Sequence, residues 1–82
     1  MSETTFNAVT SCLWDLRAHC EQQLRHLTEA QKCADQYRAS AGSRYHAKNR
    51  IVADLQNIVR LTVTIRAFAN ECSGMVGELP HD

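Results

Sequence analysis

The stretch YRASAGSRYHAKNR, residues 37 to 50, is where the helical rhythm of this 82-residue chain fails. It holds four of the nine Lys and Arg residues and no acid. Outward from it in both directions, apolar residues recur at alternating steps of three and four, the spacing that gathers them into one stripe of a helix. On the N-terminal side the stripe is Phe6, Val9, Leu13, Leu16, Cys20, Gln23, Leu27, Ala30, Ala34 and Tyr37. On the C-terminal side it is Ile51, Leu55, Ile58, Thr62, Ile65, Ala69, Cys72 and Val76. Between them the same stepping meets Ala41, Arg44 and Lys48, and two charges interrupt the stripe.

The break has the chemistry of a turn. Gly42 suits the left-handed position just past a helix end, and Ser43 suits the cap of the helix that follows. The expected architecture is all-α: an antiparallel, coiled-coil-like two-helix hairpin forming one domain over residues 1–82. Helix one is expected over about 5–41, the turn at about 42–43, helix two over about 44–73, and a short tail over 74–82 that Gly74, Gly77 and Pro80 close off. Folding about Gly42 pairs Leu16 with Ala69, Cys20 with Ile65, Gln23 with Thr62, Leu27 with Ile58 and Ala30 with Leu55. The two polar members of the stripe, Gln23 and Thr62, share a layer and can hydrogen-bond each other.

The heptad phase is the same on both sides of the break, so a continuous helix or a hinge-swapped dimer is the alternative. A single glycine costs only about 1 kcal/mol inside a helix. Such a helix would be on the order of 110 Å long at 1.5 Å per residue.

Composition narrows the class of protein. Hydrophobic residues at 44% and charged residues at 22%, with one Pro and three Gly, exclude a low-complexity or disordered chain. Nine basic residues balance nine acidic ones, so the chain as a whole has no net field to favour nucleic acid or an anionic membrane. No apolar run is long enough to span a bilayer. MSETTFNAVT has an early acid and lacks the basic region of a secretory signal, and Cys12, Cys20, Cys33 and Cys72 read as reduced thiols on helices; a cytoplasmic location is expected.

Helix two carries more apolar surface than one stripe can use. Val52, Val59, Leu61, Val63, Phe68 and Met75 lie off the stripe on both sides of it. Each such side chain gains roughly 1.5 to 3 kcal/mol on leaving water, which points to a buried helix. These six residues, with Trp14 on helix one as an aromatic anchor, are the candidate partner-binding set. The alternative for Trp14 is packing over the open end of the hairpin near Phe68 and Cys72. A four-helix bundle, completed by homodimerisation or by another protein, would satisfy the surplus.

No motif for catalysis is present: no phosphate-cradling glycine loop, HExxH, GxSxG or CxxC, and no cofactor is expected. Cys12, His19, His26 and Cys33 fall seven apart on one helix edge, about 10 Å between neighbours, too far to share one metal ion within a chain. They read as packed thiols and interface-flanking histidines, with Asp15–His19 and His26–Glu29 as surface pairs. Arg44, Lys48 and Arg50 place positive charge at the positive end of helix two. They form a candidate anion-binding tip for an acidic partner or a nucleic-acid phosphate.

The leading expectation is a small non-enzymatic interaction protein: an adaptor, chaperone or inhibitor. In size and helix arrangement the chain is similar to the hairpin co-chaperones of bacterial type III secretion and to small phage and bacterial anti-activators. SAGSR at the turn departs from the signature of the WxG hairpin secretion family. Two alternatives stand beside it: a homodimeric four-helix bundle binding RNA or DNA, resembling the plasmid-encoded RNA-binding hairpins, and a purely structural bundle subunit.

Overall fold

The computed structural model describes residues 2–39, 42 and 44–80. Two long helices, α1 (Ser2–Ala39) and α2 (Arg44–Gly77), pack against each other as a hairpin. At 61 Å long and 15 Å across, the molecule has the length of one helix of this size and not of a continuous rod.

The two helices form for different reasons. α1 is rich in Ala, Leu, Gln, Glu, Arg and Lys, all good helix formers, with Glu3 in its first turn and Arg38 in its last, each matching the helix dipole. In α2, six of the eight residues from 58 to 65 are β-branched (Ile58, Val59, Thr62, Val63, Thr64 and Ile65). These lose side-chain freedom in a helix, so α2 depends on tertiary burial more than α1 does. Thr10, Thr28 and Thr62 each donate to the carbonyl four residues back, which satisfies their hydroxyls inside the helices.

The boundaries shift from those expected. α1 begins at Ser2 and α2 continues through Gly74 to Gly77. One glycine is a small penalty, and the half-buried Met75 and Leu79 hold the extra turn against the hairpin. Bonds from the amides of Glu78 and Leu79 to the carbonyls of Met75 and Val76, at 3.1 and 3.0 Å, then tighten the end. Gly42 sits in a 3₁₀-type turn, and among the described residues no glycine has the positive φ expected of a left-handed cap. Ser43, the expected cap of α2, lies outside the described residues, as do Ser40 and Ala41.

The register is set by five cross-helix contacts. Cys12 Sγ lies 3.7 Å from the Phe68 carbonyl, and the His19 ring sits 5.1 Å from the Phe68 ring, tilted by 41°. Gln23 Nε2 donates to Thr62 Oγ1 at 2.8 Å and to the Ile58 carbonyl at 3.2 Å, so the expected polar layer is present. His26 Nδ1 lies 3.1 Å from Asp54 Oδ1.

The seam is nevertheless rotated by one residue on each helix. Val9, Leu16, Gln23 and Ala30 face inward as expected, but Cys12, His19, His26 and Cys33 fill the alternate positions in place of Leu13, Cys20, Leu27 and Ala34. On α2, Asp54, Leu61, Phe68 and Met75 take the places of Leu55, Thr62, Ala69 and Val76. The buried apolar residues are Val9, Cys12, Ala30, Cys33, Ala47 and Cys72, none larger than valine. Small side chains let two helices approach closely, and this leaves the larger leucines outside.

Candidate functional site

Rotating the seam creates a second apolar surface. Each helix carries three apolar columns, and one neighbour covers only two of them. The column left over on α1 is Phe6, Leu13, Cys20, Leu27 and Ala34; on α2 it is Leu55, Thr62, Ala69 and Val76. Neither contains a charge between those residues, and the next position of the α2 column toward the turn is Lys48. Cys20, Leu24 and Leu27 line one shallow groove together with Leu55 and Ile58, so the two columns lie on the same side of the hairpin. Val52, Leu55 and Val59 extend this surface outward along α2. Leu24 is 62% exposed, Leu27 44% and Val59 66%, although all three are large and apolar.

The opposite side is polar. Gln22, His26, Asn57, Arg60 and Thr64 line its cleft with Leu61, and Arg60 donates to the Asn57 side-chain oxygen. The hairpin therefore has one face suited to water and one suited to a partner.

Of the residues singled out from the sequence, Val52, Val59 and Val63 are exposed on α2. Leu61, Phe68 and Met75 are not available to a partner: they are half-buried in the seam, because the one-residue rotation turns them toward α1. Trp14 is 64% exposed, with the Arg17 guanidinium 5.6 Å from its ring, and it does not pack on Phe68, whose ring meets His19 instead. His26 reaches Asp54 across the interface and not Glu29, which pairs with Lys32 at 3.5 Å.

Asp54 is buried with its Oδ2 lacking a hydrogen-bond partner among the described residues. A hydrogen bond with the Cys72 thiol, together with burial between the helices, raises the Cys12 thiol from its usual 9.0 to about 11. Cys12, Cys33 and Cys72 are buried free thiols, whereas Cys20 is a free thiol on the exposed apolar face.

The basic tip is partly self-satisfied. Arg44 Nε donates to the Tyr37 carbonyl at 3.2 Å, and its guanidinium lies 5.4 Å from the Tyr37 ring. The cation placed badly for α2 is thus placed well for the C-terminus of α1. Arg38, Lys48 and Arg50 remain exposed.

The far end of the hairpin has the opposite character. Residues 2–16 and 67–80 contain four of the nine acids, Glu3, Asp15, Glu71 and Glu78, and none of the nine Lys and Arg residues. Zero net charge conceals a molecule that is basic at its turn and acidic at its open end. That separation is legible in the sequence once the hairpin pairs the two ends of the chain. No helix among the described residues is long and apolar enough to cross a membrane. No family model, curated protein or solved structure matches this chain.

Proposed function

We propose that this chain is a non-enzymatic protein–protein interaction module, an adaptor, chaperone or inhibitor that acts by burying the apolar face shared by α1 and α2 against another polypeptide. The observation that carries the reading is the uncharged pair of columns built on Leu13, Cys20 and Leu27 and on Leu55 and Val76. A hairpin that ended its design at two helices would place such residues inside and polar ones here. The β-branched run of α2 supports the same reading, since a helix with weak intrinsic propensity is stabilised when a partner covers it. Four free thiols fit a reducing, cytoplasmic setting.

The test is the double variant Leu27→Ser, Leu55→Ser. It removes two large side chains from the face without touching the seam. Circular dichroism should retain most of the helix signal, while association in equilibrium sedimentation and capture of any partner protein should be lost. Unchanged association and capture would sink the reading.

A further inference from the structure

We infer that the occupant of the apolar face is a second copy of this chain, packed antiparallel so that the turn of each hairpin lies beside the open end of the other, with Cys20 at the dyad. This rests on the interaction reading above and names its partner. The face runs from Phe6 and Val76 at the open end past Leu27 and Leu55 to Ala34, roughly 40 Å at 1.5 Å per residue, and gives way to Lys48 at the tip. A strip about 40 Å long and 15 Å across is on the scale of the roughly 800 Å² that each partner gives to a standard stable interface. A two-fold contact also needs a surface that is complementary to itself, and the columns Phe6–Ala34 and Leu55–Val76 meet that condition without unpaired charge.

Charge selects the orientation. Two copies can lie face to face with their turns at the same end or at opposite ends. With turns together, Arg38 and Lys48 of the two acid-free tips would repel each other. With turns apart, Arg38 at the tip of each copy falls opposite Glu3 of the other, both on the Leu24 edge of the face.

Symmetry then fixes a position. The dyad of the antiparallel arrangement crosses the hairpin at mid-length. α1 runs from Ser2 to Ala39, so its midpoint falls between residues 20 and 21. Cys20 lies on the apolar face at that point and is the exposed one of the four cysteines. The two Cys20 thiols therefore face each other across the axis, whereas with turns together they would sit on diagonally opposed helices.

The full-length, reduced protein tests this directly. Equilibrium sedimentation should give twice the 9.2 kDa chain mass. Diamide takes up the two protons and two electrons that a pair of thiols loses as their S–S bond forms. It should convert the dimer to a covalent one, reversed by dithiothreitol, in which peptide mapping finds Cys20 joined to Cys20. A monomer at all concentrations would overturn the second-copy assignment; the interaction reading would then stand only if Leu27→Ser, Leu55→Ser still abolished binding to a different protein. A dimer that diamide leaves unlinked, or links through another cysteine, would overturn the antiparallel arrangement.

Discussion

His26 Nδ1 on α1 lies 3.1 Å from Asp54 Oδ1 on α2, and both side chains are largely shielded from water by the opposing helices. This pair sits where a simple apolar seam would carry leucine. Its partners are two heptads from the Cys12–Phe68 contact on each helix, so the polar pair and the contacts around Phe68 pin one register. Polar groups inside a helical interface cost stability when mispaired, and a slip of the hairpin would strand both.

Replacing His26 with Leu should strand Asp54 in the seam, where its Oδ2 already lacks a partner. A loss of about 1 to 3 kcal/mol in urea unfolding is expected, the ordinary cost of an unsatisfied buried polar group. Adding Asp54→Leu should recover most of it. If the double variant is no more stable than the single, the pair does not act as a unit.

The inner and outer faces of α2 should respond differently to truncation. Phe68→Ala removes the ring that meets His19 and should lower stability by roughly 1 to 3 kcal/mol, less than a fully buried aromatic would cost. Val59→Ser, on the exposed face, should change chain stability little and weaken self-association. Sedimentation and thermal unfolding on the same samples separate the two. Equal effects on both quantities would mean that the seam is placed wrongly.

Alkylation should discriminate among the thiols. Cys20 should react first with iodoacetamide near neutral pH because it is exposed, and Cys12, Cys33 and Cys72 only as the hairpin opens. The Cys12 thiol, raised to about 11 by its bond to Cys72 and by burial, keeps its proton in the fold after the unfolded chain, at 9.0, has lost it. The folded state then holds more protons than the unfolded one. The resulting stabilisation is complete below pH 9.0 and is lost as pH rises toward about 11. Cys12→Ala should flatten that part of the stability profile.

At the tip, Arg44→Gln should cost about 0.5 to 1.5 kcal/mol, because it removes the hydrogen bond to the Tyr37 carbonyl and the stacking on its ring. Lys48→Gln and Arg50→Gln should leave monomer stability nearly unchanged. Both should reduce the salt sensitivity of any association made through the tip. A stability loss at Lys48 equal to that at Arg44 would contradict the assigned capping role.

Gly74 lies inside α2, and a methyl group placed there meets open space. Gly74→Ala should raise stability by up to about 1 kcal/mol by reducing the freedom of the unfolded chain and favouring the helix. No gain in the thermal midpoint would indicate that the last turn of α2 is frayed in solution.

The sequence by itself determined that two helices form, that they meet at the SAGSR break, and that Gln23 and Thr62 share a layer. Those features follow from periodicity and from the arithmetic of an antiparallel pairing, which hold whichever way each helix is rolled about its axis. It did not determine the roll. The columns Phe6–Leu13–Cys20–Leu27 and Cys12–His19–His26–Cys33 both flank Val9, Leu16 and Gln23, and hydrophobicity alone favours placing the leucines inside. Only the tertiary structure set the second column inward, where Cys12, Ala30, Cys33, Ala47 and Cys72 permit close approach and Asp54 answers His26. That choice moved Leu61, Phe68 and Met75 from the outer surface into the seam, and it moved Leu13, Leu27 and Leu55 from the seam to the face left open for a partner.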